Sequence, residues 1–203
     1  MLIYGASGHS KVIIDVFLSN GEKEIFLFDD NLLKKDLLGF SVLGIYDPKY
    51  RQSDVIIIGI GDNKIRKKVC GLIKHKLSNA IHYHSYISKY ATIGEGNAVF
   101  CGGIIQSGSA IGNHCIINTK ASVDHDCKIE DFVHIGPNVT LCGGTTVGEG
   151  SLVGAGAIVI PGIQIGKWAI IAAGSVVIKN VPDFTMVAGN PAKFVKKINI
   201  INE

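Results

Sequence analysis

The chain is poor in the features that mark several large protein classes. Charged residues make up 18% of its 203 positions, and the formal net charge is only +3. No basic stripe is interleaved with aromatics, so nothing argues for nucleic acid. No apolar run reaches the roughly 18 residues of a membrane span. The start, MLIYGASGHS, lacks the basic stretch and apolar core of a secretory signal. Five cysteines, at 70, 101, 115, 127 and 142, are odd in number and form no C-x-x-C. Disulfides and structural zinc are therefore not expected, and a reduced cytoplasmic protein without a metal is.

What is abundant is aliphatic residues and glycine. Hydrophobic residues are 47% of the chain, which excludes a disordered segment. The 25 glycines far exceed the usual share of about 7%. From Ile87 every sixth residue through Val177 is Ile, Val or Leu, without a break. Neither a helix nor a flat strand has that period. The pattern predicts a triangular coil of about five turns, each hexapeptide giving one short side and one corner with its aliphatic residue inward. Four positions after each aliphatic a small residue recurs, among them Ser109, Cys115, Ala121, Cys127, Ser151 and Ala157. Cys115 and Cys127 thus read as core.

The first third has another grammar. A short apolar strand, Leu2–Tyr4, runs into Gly5-Ala6-Ser7-Gly8-His9-Ser10 and a helix to about Leu18. A second strand, Glu24–Phe28, ends in Asp29-Asp30. A third, Val55–Ile58, ends in a Gly59-Ile60-Gly61 turn, followed by a helix over about 65–76 and a strand near 80–83. This is the βαβ pattern of a parallel nucleotide-binding sheet. The expected division is a Rossmann-like domain over 1–83 and a repeat domain over 84–203. The loop has two glycines rather than the three of G-x-G-x-x-G. The unit is half the length a dinucleotide needs, which suits one nucleotide. The basic run Arg66-Lys67-Lys68 reads as a solvated helix face.

Of seven histidines, His75, His82, His84 and His114 carry no pattern that implies chemistry, His114 falling at an exposed corner register. His125 stands between Asp124 and Asp126, on an outward register. A carboxylate on one ring nitrogen would raise the basicity of the other, and Asp126 is the favoured partner. His134, nine residues on, is a ligand contact rather than a proton carrier. Cys142 could carry an acyl group but has no adjacent base, and a thioester is already activated.

Several of these segments together resemble a known family. The hexapeptide ladder, IINTKASVDHDCKI and VAGNPAKFVKK resemble the left-handed β-helix acetyltransferases. YGASGHSKVI and GIGDNKIRKKV resemble its PglD/NeuD-like branch, which acetylates nucleotide sugars and sialic acids. The handedness of the β-helix comes from this resemblance alone. It implies a homotrimer with sites between neighbouring prisms, acetyl-CoA as co-substrate and a UDP-linked amino-deoxy sugar as acceptor. It further implies His125 as base supported by Asp126. Acetyl-CoA contacts would fall at His134, Gly143, Ala155, Ala173 and Lys193. Substrate contacts would fall at Ser7, Gly8, His9, Asp29, Asp30 and Gly61. Asp126 is Glu in some members, so its reach to the ring is one methylene shorter here.

Three other readings compete. One is O-acetylation of sialic acid or a related sugar. Another is a metal hydratase with His114, His125 and His134 around zinc. The third is a non-catalytic sugar-binding or assembly protein. The nucleotide loop and Asp29-Asp30 favour N-acetylation.

Overall fold

The structure, a computed structural model, describes residues 1–198. Strand β1 (Leu2–Tyr4), helix α1 (Gly8–Ser19) and strand β2 (Phe26–Phe28) open the chain. A small hairpin follows, β3 (Asp36–Leu37) and β4 (Phe40–Ser41). Strand β5 (Val55–Ile58), helix α2 (Asn63–Cys70) and strand β6 (Lys76–Leu77) complete the first unit. Its parallel sheet has the order β2-β1-β5-β6. Leu2, Tyr4, Ile56 and Ile58 pack towards Val69 of α2. Ile3, Leu27 and Ile57 pack towards Ile13, Ile14 and Phe17 of α1. Helix α2 stops at Cys70 because Gly71 caps it, six residues before the end expected from its composition.

The rest is a prism of two-residue strands stacked in three parallel faces. Face one begins with β7 (Ala80–Ile81), face two with Tyr86–Ile87 and face three with Thr92–Ile93. Positions 18 apart stack, as in Ile105↔Val123↔Leu141. The inward aliphatics and the small residues, including Cys115, Cys127, Ser151 and Ala157, form one continuous buried core. Burying each Val, Leu or Ile contributes about 1.5–3 kcal/mol.

The boundary between the units differs from the expected one. The strand near 80–83 pairs with Ala98-Val99 and opens the prism, so the first unit ends at Asn79. Ile81 lies six residues before Ile87 and already obeys the period. A short apolar run reads alike as a sheet strand or a prism side. Of the second unit, residues 199–203 lie outside the described residues.

The two units share a core. Ala80, Ala98, Phe100 and Ile116 of face one pack with α1 and the sheet. The first coils of face one are therefore covered by the N-terminal unit. Corner one joins faces one and two, corner two joins faces two and three, and corner three joins faces three and one.

Candidate active site

The corners set the chemistry. From Gly96 to Gly174, every sixth residue has a positive φ, whether or not it is glycine. Asp126 is one of them, with φ 58° at corner two. In extended chain, neighbouring side chains diverge. Here the left-handed turn folds the aspartate back, and its Oδ2 lies 2.8 Å from His125 Nδ1. Asp124 is spent differently, its Oδ1 accepting from the His125 backbone N–H at 2.8 Å. The acid on the ring is thus Asp126. The backbone is fixed on both sides by Asp126 N–H to Ser107 O (3.1 Å) and Gly144 N–H to His125 O (2.9 Å).

With Nδ1–H directed at the carboxylate, Nε2 is the free, accepting nitrogen. The hydrogen bond to Asp126 raises the His125 pKa above its ordinary value, and the charge of Asp124 adds to the rise. The ring lies exposed over Gly143 of the next coil. A β-carbon on Gly143 would sit 2.5 Å from His125 Cε1 and 2.6 Å from Nε2. At this corner Cys142 N–H donates to Val159 O and Gly144 N–H to His125 O. Among the described residues, Gly143 N–H has no such intramolecular acceptor.

A second cluster forms where the sheet meets face one. The first glycine loop, Asp29-Asp30 and the Gly59-Ile60-Gly61 turn converge at the carboxyl ends of β1, β2 and β5. Ser10 Oγ donates to Gly5 O (2.7 Å) and Gly59 O (3.0 Å), tying two of these loops together. A β-carbon on Gly59 would sit 2.8 Å from Ile3 Cγ2, so the close approach demands glycine. Ser7 caps α1 without a side-chain hydrogen bond to the helix, and no acid sits in its first turn. The helix N-terminus is therefore open to an anion. Asp29 accepts from Ala6 N–H (2.7 Å), Asn31 N–H (2.9 Å) and Lys34 Nζ (2.8 Å). Asp30 accepts from the Tyr4 hydroxyl at 3.0 Å, and burial together with that carboxylate pushes the phenol up to about 12.

His134 belongs to this second cluster and not to corner two. Its ring is 6.4 Å from that of His9, and its Nε2 is 3.0 Å from Asn118 Nδ2. Burial, reinforced by the Arg66 charge, lowers its pKa to about 4, while a hydrogen bond with the Gly61 backbone works the other way. Burial lowers His9 to about 3. Both rings are neutral near pH 7. Ala155 and Ala173 stack at corner one, and Lys193 lies on an exposed strand (Lys193–Lys197) at the edge of face one.

Two expectations from the sequence are corrected. His114 is buried at corner three, stacked on Phe132 at 5.0 Å, because α2 covers that corner. Arg66 is likewise buried and not solvated. Within the chain, His114, His125 and His134 lie at three separate places, so they do not share an ion. Sequence reasoning also missed Ser10, Tyr4 and Asn118, which support functional loops through hydrogen bonds that no local pattern encodes.

A parallel β-helix with a nucleotide-type sheet and an acid-backed exposed histidine defines a sugar acetyltransferase that uses acetyl-CoA. Residues 1–72 match the PglD N-terminal domain and residues 144–179 the bacterial transferase hexapeptide repeats. PerB of Caulobacter crescentus, solved with CoA and GDP-perosamine, is 38% identical with a TM-score of 0.91, covering 96% of each chain. The acetyltransferase domain of PglB from Neisseria gonorrhoeae FA1090, solved with acetyl coenzyme A, is 34% identical with a TM-score of 0.90 over 96% of this chain and 98% of that one. GDP-perosamine N-acetyltransferase of Escherichia coli O157:H7 is 28% identical over 96% of both chains. The chain spans only 23% of an uncharacterized protein from Acanthamoeba polyphaga mimivirus, to which it is 36% identical over 115 residues. This chain belongs to the PglD/NeuD-like family of sugar acetyltransferases, and its prism is the left-handed β-helix of that class. Among the described residues no helix is long and apolar enough to cross a membrane.

Proposed function

We propose that the protein transfers the acetyl group of acetyl-CoA to the amino group of a nucleotide-linked amino-deoxy sugar, with His125 as general base. The observation that carries this is the His125–Asp126 pair, exposed over Gly143. His125 Nε2 takes a proton from the amine as nitrogen attacks the thioester carbonyl. The C–N bond forms, Gly143 N–H holds the oxyanion, the C–S bond breaks, and the proton passes to the departing thiolate. No covalent enzyme intermediate is needed.

The nucleotide docks at the loop cluster of the N-terminal sheet, with its diphosphate at the N-terminus of α1 beside Ser7, Gly8 and His9. UDP is the nucleotide implied by the family resemblance. GDP is a second reading, because perosamine N-acetyltransferase structures hold GDP-perosamine. Asp30 is the base-reading acid in either case, since Asp29 is occupied by the protein's own donors.

Corner two carries His125 and Gly143, whereas corner one carries Ala155 and Ala173. One chain presents the two halves of an acetyl-CoA site on different edges. A homotrimer with each site between neighbouring prisms unites them, with Lys193 on the same side as corner one.

The test follows release of the CoA thiol with acetyl-CoA, a UDP-4-amino sugar, GDP-perosamine and sialic acid. Rapid turnover with one of the amino sugars, and loss of it in His125→Ala, is the expected result. Turnover with sialic acid alone would sink N-acetylation, and an active His125→Ala would sink the base.

A further inference from the structure

Helix α2 meets the prism through one face. Asn63, Arg66, Lys67 and Cys70 have the i, i+3, i+4, i+7 spacing of a helical stripe, and each reaches corner three or its flanks. Asn63 Nδ2 donates to Gly150 O (3.0 Å) and Ser151 O (3.2 Å). Lys67 pairs with Glu149 and lies over the rings of Phe132 and Trp168. Cys70 Sγ is 3.0 Å from His114 Nε2.

Arg66, in the middle, is 1% exposed. Its Nε donates to His114 O (2.8 Å), and its Nη1 to Ile60 O (3.1 Å) and Gly61 O (3.0 Å). Its Nη2 donates to Asn63 Oδ1 (2.7 Å) and Phe132 O (2.9 Å). None of these acceptors is a carboxylate. Burying a cation without a counter-ion is costly, and apolar residues would join two domains without that cost. What a guanidinium adds is a rigid planar fork that holds several carbonyls in one fixed arrangement. Two of them belong to the Ile60-Gly61 turn of the N-terminal unit. The other two, on His114 and Phe132, belong to consecutive coils beside the strand that starts with His134. The open side of Gly61 faces the His9 ring, which lies 6.4 Å from the His134 ring.

We infer that Arg66 is a positioning residue for the acceptor half of the site, locking the Gly61 turn to the coil that carries His134 so that both domains present one fixed surface to the nucleotide sugar. This rests on the substrate class proposed above. Gly143, Ala155 and Ala173 lie at corners that Arg66 does not touch, so its loss acts on one substrate and not the other.

The test uses the full chain with Arg66→Lys and Asn63→Ala. A lysine has a single ammonium and cannot span five acceptors. Asn63→Ala removes one acceptor of the guanidinium together with Asn63's own bonds to Gly150 and Ser151, and it leaves the arginine with its four backbone carbonyls, so it is the milder change. Arg66→Lys raises the KM for the nucleotide sugar about tenfold or more, with kcat and the KM for acetyl-CoA held within about twofold. Asn63→Ala moves the same constant in the same direction by less. Equal changes in both KM values, a change in kcat alone, or an unchanged nucleotide-sugar KM in Asn63→Ala overturns the inference. Should Arg66→Lys fail to fold, Asn63→Ala decides. Hydrogen exchange across residues 59–66 needs no substrate, and it separates this inference from the substrate reading. In Asn63→Ala it accelerates about tenfold with corner two unchanged, and unchanged protection overturns the positioning role even if no nucleotide sugar is turned over.

Discussion

Asp126 holds a left-handed backbone that costs a residue with a β-carbon about 1–2 kcal/mol, and the return is a carboxylate against the ring of its own neighbour. Asp126→Asn keeps the turn, because asparagine tolerates this region, but removes the charge. The His125 pKa is raised in the native site, so activity falls as pH drops through that raised value. In Asp126→Asn the acidic limb of kcat/KM moves to lower pH while the plateau falls, a paired change that a pH–rate profile reads directly. His125→Ala loses about 10²–10⁴ in kcat, the usual share of a general base. Gly143→Ala drives a methyl into the imidazole and lowers kcat with little change in melting temperature. His125 was legible in the sequence because two acids flank it on an outward register. Asp126 is favoured over Asp124 there, and the left-handed φ set by the coil is what brings its carboxylate onto the ring. Arg66 was misread because nothing in the helix itself reveals that a prism corner covers it.

At the level of elements, the period of six was legible because each coil repeats the same inward demand. It located the ladder and the small residues, while the nucleotide loops followed from strand-glycine-helix order. The left-handed register escaped notice because six of its positions, from His114 to Trp168, are not glycine. The ladder and the corners fail differently under mutation. Leu141→Ala hollows the core and costs about 2–5 kcal/mol in denaturant unfolding. Gly154 sits where a β-carbon would lie 2.6 Å from Ala173 N in the next coil, so Gly154→Ala forces the coils apart and lowers stability more than its size suggests. Gly156 has φ +68° but open space around it, so Gly156→Asn bears only left-handed backbone strain of about 1 kcal/mol, which asparagine tolerates best, and destabilises less than Gly154→Ala. Thermal melts of the two glycine variants side by side check the contrast.

Across the whole molecule, the interface between the units carries an acid sensitivity. His9 and His134 are held at about 3 and about 4, below the 6.5 of an unfolded chain. As pH falls below about 6.5 the unfolded state takes up protons first, so stability that is complete above that value drains away towards pH 4 and then 3. Melting temperatures between pH 7.5 and 4.5 decline accordingly, and His9→Leu flattens the decline. Assembly has its own test. Protomers carrying His125→Ala and protomers carrying Ala155→Arg are each inactive, and refolding them together in equal amounts restores about a quarter of the sites if each site borrows from two chains. Sites contained within one chain would restore none. The stacking of the prism has one more consequence. Each coil advances the chain by about 4.8 Å, the spacing of paired strands, and every corner is built like the one below it. The molecule is therefore graduated. Adding or deleting a single 18-residue coil between the coil of Gly143 and the tail would shift the far end by one such step and leave the geometry around His125 intact, so the span available to a long donor could be reset in fixed increments without redesigning the place where it reacts.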